Sequence, residues 1–149
     1  MNILFHAHSG LRYLVLLAAV VALVTLAFSL ATGRAVRRAQ IMATAFVGLL
    51  DLQILLGLAL VMGGIFTDAV TGHLMLMVMA AVVTHGSYMI GQHSANERRE
   101  LAFRFGGIIL AMVLIVIGIM ALGRSVLGAA PMTTGYTYNS FPPTHTGSA

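Results

Sequence analysis

Four apolar runs, each long enough to cross a bilayer, leave this chain few folds to choose from. They extend from about Leu11 to Thr32, Ile41 to Gly63, Gly72 to Gly91 and Leu101 to Gly123, and a helix needs about 20 residues to span hydrocarbon. Inside lipid each backbone amide must find a partner within the chain, so runs of this length are expected to be helices. The connections "GRAVRRAQ", "GIFTDAVT" and "QHSANERRE" are short, which sets each helix antiparallel to the next. The expectation is an all-α integral membrane four-helix bundle, up-down-up-down. It forms one domain over residues 1–123, followed by a polar, uncharged tail at 124–149.

Charge supports the same reading. Only 8% of the residues are charged, against roughly 25% in soluble domains whose exterior must be wetted. The exterior is therefore expected to face lipid. All eight basic residues are arginine, and they sit in connections instead of forming a stripe with aromatics, which argues against nucleic acid. Six lie on one side (Arg34, Arg37, Arg38, Arg98, Arg99 and Arg104) and two on the other (Arg12 and Arg124). The positive-inside rule then puts the first and third connections in the cytoplasm and both termini outside, periplasmic in a bacterial inner membrane. The first run exceeds the usual apolar stretch of a signal peptide and has no basic cluster before it, so it is expected to stay uncleaved.

Cysteine is absent, which excludes disulfides, thiolate metal sites and covalent haem attachment. The tail "SVLGAAPMTTGYTYNSFPPTHTGSA" has linker composition; an ordered tail of this kind would lie on a partner subunit. Small residues at Ala18 and Ala22, Thr44 and Gly48, and Gly107 and Ala111 have the spacing that lets membrane helices approach. Met75, Met77 and Met79 alternate, so they point to different sides of one helix and serve packing.

Ionisable groups within a span are costly and call for partners. Asp51 in "GLLDLQILLGL" and His85 in "AVVTHGSYMIG" lie at depths of about 15 Å and 9–10 Å from the cytoplasmic ends, at 1.5 Å per residue. They are expected to meet as an intramembrane polar pair, either as an interhelical hydrogen bond or as a proton relay. Gln53 and Thr84 are nearby polar helpers, although Gln53 sits about 200° around the helix from Asp51.

The outer end holds a second group. His73 begins the third run and His8 precedes the first, ahead of a candidate N-cap at Ser9. Helices one and three of such a bundle are diagonal partners, so His8 and His73 are the best pair this chain offers to hold a b-type haem iron from both sides. The plainer alternative is two histidines at the headgroup boundary. His6 and His8 would share a face of an extended segment and could chelate a metal, but no clustered acid completes that site. His93 and His145 read as solvated.

These segments resemble a family of small four-span bacterial membrane proteins labelled cytochrome b-like. Its members open with His-x-His-Ser-Gly-Leu-Arg-aromatic, here His6, His8, Ser9, Gly10, Leu11, Arg12 and Tyr13. Their second span carries His-Leu-Gln before Leu-Leu-Gly-Leu, here "DLQILLGL", and their third starts with histidine and a Met-rich run, here "GHLMLMVMAAVV". A Gly-x-His-Ser-like exit and basic loop follow, here "GQHSANERR". The likeness covers residues 5 to about 105. It departs at Asp51, where the family has histidine; a carboxylate is a poor ligand for a low-spin b-type haem, which puts a ligand role there in doubt.

The resemblance implies a membrane-embedded haem b electron-transfer protein or subunit, not a stand-alone enzyme. His8 and His73 would be axial ligands, Arg12 would neutralise a propionate, and a quinone or partner subunit would exchange electrons. The rival expectation is a cofactor-free accessory subunit of a larger respiratory or photosynthetic membrane complex. A small transporter is a third, weakened by the single acid at depth and the lack of an inverted repeat.

Overall fold

In the computed structural model, residues 2–64 and 67–123 are described, and they form four helices. These are α1 (Asn2–Thr32), α2 (Val36–Met62), α3 (Asp68–Gln92) and α4 (Glu97–Ala121). All four are long and apolar enough to cross a membrane. The expected tail contact, Arg124 and His145 lie outside the described residues.

Local chemistry sets the helix ends. Gly33 (φ 67°) and Ala35 (φ 56°) take left-handed backbone between α1 and α2, and the Ser29 hydroxyl donates to the Arg34 carbonyl at 2.7 Å. The Thr67 hydroxyl accepts from Val70 N at 3.3 Å to cap α3, and Asn96 Oδ1 accepts from Arg98 N at 2.9 Å to cap α4. Asp68, Glu97 and Glu100 lie in the first turns of α3 and α4, where the helix dipole favours an acid.

Each helix buries one seam, its positions three or four residues apart once the half-buried Gly57 is counted on α2. On α1 the seam is Val15, Ala19, Ala22, Leu26 and Ser29; on α2 it is Ala39, Ala43, Phe46, Leu50, Gln53 and Leu60. On α4 it is Leu101, Arg104, Ile108, Ala111, Ile115 and Ile119, and on α3 Met77, Ala80 and Thr84. An average step of 3.5 keeps a seam facing its neighbours along nearly parallel helices. The opposite faces carry exposed Leu14, Leu17, Val24, Leu55, Val82 and Val113, apolar side chains suited to lipid contact.

The bundle is two hairpins, α1 on α2 and α3 on α4, joined mainly by α1 against α4 and more lightly by α2 against α3. The backbones of α2 and α4 approach across one diagonal, whereas among the described residues those of α1 and α3 stay apart. Glycine permits the close approaches within the second hairpin. A Cβ added at Gly107 would overlap the Ser87 side chain, and one at Gly91 would come within 3.2 Å of the Glu100 carbonyl oxygen.

Two expectations are corrected. The first helix begins at Asn2 instead of near Leu11, because nothing in "NILFHAH" breaks a helix; Ser9 is interior and caps nothing. Thr44 and Gly48 are exposed, Thr44 at the edge of an open cleft toward α3, and the close packing of α2 falls on Ala39 and Ala43. Gly107 and Ala111 are buried as expected, as is Ala22, with Ala18 partly so.

Candidate functional site

Extending α1 through its first turns brings His8 and Arg12 onto the buried seam, seven and three residues before Val15. On α3 the same stepping runs back from Met77 to His73. Because the α1–α3 diagonal does not close, the two histidines line one cavity of about 340 Å³, at the end where α1 and α3 begin. That volume falls within the roughly 300–1,000 Å³ of small-molecule sites. Leu50, Ile54, Leu74 and Ile115 form apolar wall; Gln53, Arg12 and Ser9 add polar groups.

His73 Nδ1 lies 2.9 Å from the Gly118 carbonyl oxygen. A carbonyl only accepts, so Nδ1 bears a proton. A Cβ on Gly118 would stand 3.2 Å from that Nδ1 and 2.7 Å from Met77 Cε, so the bare glycine admits both side chains.

His8 reaches the same tautomer by another route. Gln53 Nε2 donates to the His8 carbonyl oxygen at 3.0 Å, which fixes the amide orientation. Its NH₂ therefore also faces His8 Nε2 at 3.3 Å, and that nitrogen must accept. The ring packs on Gly57, where a Cβ would come within 3.1 Å of His8 Cε1. Gln53 is 8% exposed, and its Oε1 is buried without a hydrogen-bond partner among the described residues, as is Arg12 Nε. The Arg12 guanidinium lies over the neighbouring Tyr13 ring at 4.7 Å and donates to its hydroxyl at 2.8 Å.

The donor set suits a b-type haem: two imidazoles on diagonal helices, an apolar wall and one arginine. Ligation by His8 would replace the long Gln53 contact, whereas the Gly118 hydrogen bond would orient His73 as outer partners of ligating histidines usually do.

Asp51 and His85 do meet, with Nε2 2.9 Å from Oδ1. They are not buried, however: the side chains are 43% and 51% exposed respectively. Both residues lie off the seams, so the pair bridges the lightly packed α2–α3 flank and leaves the core untouched. The expected helpers are elsewhere. Gln53 turns to His8, and the Thr84 hydroxyl donates to the Ala80 carbonyl at 2.7 Å.

The metal reading of His6 with His8 fails, since residues two apart in a helix diverge by about 200° and His6 is exposed. Among the described residues no three His, Cys, Asp or Glu side chains converge on a metal position. The sequence reading did not single out Gln53 as a partner of His8, nor Gly57 and Gly118 as the floor under each imidazole. The seam spacing that joins His8 to Ser29, and Gln53 to Ala39, was the available signal.

No family model, curated protein or solved structure matches the chain.

Proposed function

We propose that this is a membrane-embedded electron-transfer protein or subunit whose outer-end cavity would hold one b-type haem through His8 and His73. One observation carries the reading: two histidines far apart in sequence, on helices whose backbones stay apart, line one apolar cavity. When bound, the group would supply one-electron chemistry. The chain's own contributions follow from its contacts. The Gly118 carbonyl holds the His73 proton on Nδ1, and Gln53 selects the matching tautomer of His8. Arg12 offers a cation at the cavity wall for a propionate. The apolar lining keeps water away and thereby tunes potential.

The arginine distribution supports a cavity on the outer, periplasmic side, with both termini there. A quinone or a partner subunit is the electron partner this placement fits. The rival reading, an accessory subunit without cofactor, draws on Asp51 and His85. A half-exposed polar pair within a span is costly against lipid and would be covered by a partner helix.

The test is a dithionite-reduced minus oxidised spectrum of the protein purified in detergent. A sharp α-band that disappears in His73→Ala is expected. A colourless protein, fully inserted in its membrane, rejects the haem reading; comigration with a large complex on a mild-detergent native gel would then favour the rival.

A further inference from the structure

The opposite, arginine-rich end of the bundle has its own polar cleft, of about 640 Å³ and open to the outside. Arg37, Gln40 and Thr44 of α2, Tyr88 and Gln92 of α3, and Arg104 of α4 line it, together with the apolar Ile41 and Ala45. Its centre is Arg104, which occupies the α4 seam and is only 5% exposed.

The partners of that guanidinium are incomplete. Nη2 donates to Glu100 Oε1, one turn back on α4, and Gln40 Nε2 donates to the same oxygen at 3.2 Å. The guanidinium carbon lies 4.0 Å from the Tyr88 ring centroid, a cation–π distance that holds the group flat in the cleft. Nε and Nη1 are buried and have no hydrogen-bond partner among the described residues. A buried cation with unmatched N–H donors is disfavoured unless an acceptor reaches it. Glu100 is the single acid lining the cleft, against Arg37 and Arg104, so the wall carries one net positive charge.

We propose that this cleft binds the phosphate of a phospholipid headgroup. A phosphate has several acceptor oxygens for Nε and Nη1, and its negative charge balances Arg37. The cleft lies at the ends of apolar helices, the level at which headgroups meet a spanning bundle. Ile41, half-exposed, and Ala45, exposed, continue from it onto the apolar flank of α2, a path for an acyl chain. This site is independent of the haem reading, because no residue of the outer cavity belongs to it.

The test is native mass spectrometry of the full chain in mild detergent, titrated with phosphatidylglycerol, with diacylglycerol of the same acyl chains, and with inorganic phosphate as competitor. Phosphatidylglycerol is expected to bind about tenfold or more tightly than diacylglycerol, and millimolar inorganic phosphate to leave it bound. Arg37→Gln, at an exposed position, should weaken phosphatidylglycerol about fivefold, the worth of one arginine near a charged surface. The double variant Arg104→Gln with Glu100→Gln, which removes both buried charges together, should weaken it further; if that variant does not fold, Arg37→Gln decides alone. His73→Ala should bind as the unaltered protein does. Equal binding of the two lipids, or unchanged affinity in Arg37→Gln, overturns the proposal. Displacement by inorganic phosphate overturns it too, since the cleft would then be a free-anion site.

Discussion

At one end of the bundle the seams carry two half-buried imidazoles and a buried amide beside backbone carbonyls, with Arg12 turned toward Tyr13. At the other end they are charged, with Arg104 and Glu100 paired on α4 beneath Arg37. Both groups occupy the same kind of seam position, so the seam dictates burial and the side chain dictates consequence. A neutral seam group can be satisfied by a tautomer choice and a nearby carbonyl. A charged one needs a counter-charge, which Glu100 supplies to Arg104. Asp51 and His85 make a third case: off the seam, they pair without being buried.

The contrast breaks most visibly at the charged end. Glu100→Leu leaves Arg104 buried without its carboxylate and is expected to cost about 3–5 kcal/mol, read as a shift in detergent unfolding equilibrium. A loss below about 1 kcal/mol would mean that Arg104 escapes to water or headgroups and that the two ends are not distinct.

The neutral end should respond less. Gln53→Leu removes the donor to the His8 carbonyl and ring, an expected loss of about 1–2 kcal/mol, with the His8 ring released from its fixed tautomer. Nuclear magnetic resonance of ¹⁵N-histidine in the haem-free protein, where Gln53 meets Nε2, reads this directly. One dominant Nδ1–H tautomer is expected for His8 in the parent and a mixture in Gln53→Leu. A mixture already present in the parent would remove Gln53 from the site.

The flank should respond least. A double-mutant cycle with Asp51→Asn and His85→Gln is expected to give a coupling of about 0.6 kcal/mol, typical of polar pairs between membrane helices. Additive changes would show that the 2.9 Å contact contributes nothing. A coupling several times larger would point instead to a pair shielded from water and lipid by a partner.

Much of the fold is legible in the residues, because four long apolar runs leave the backbone little choice once lipid is the solvent. The Asp51–His85 contact followed from depth alone, which needs only a rise per residue. What depth leaves open is rotation. A helix apolar on every side shows no clear stripe, so hydropathy did not reveal that Gln53 faces His8, that Thr44 borders a cleft instead of a packed seam, or that Arg104 turns inward. Those facts follow from which small residues pack: Ala19 and Ala22 on α1, Ala39 and Ala43 on α2, Gly107 and Ala111 on α4. Ser9 was misread for a related reason. Ser9 has the chemistry of a cap, but a cap acts only where the helix ends, and this helix runs on to Asn2.

The account rests on His8 and His73 working as a pair across the open diagonal. Low-temperature electron paramagnetic resonance of the oxidised, purified protein tests this most directly. A low-spin ferric signal typical of two imidazole ligands is expected, lost in His8→Ala and in His73→Ala separately and kept in His85→Ala. A low-spin signal that survives either of the first two substitutions, or a preparation with no haem iron at all, would contradict it.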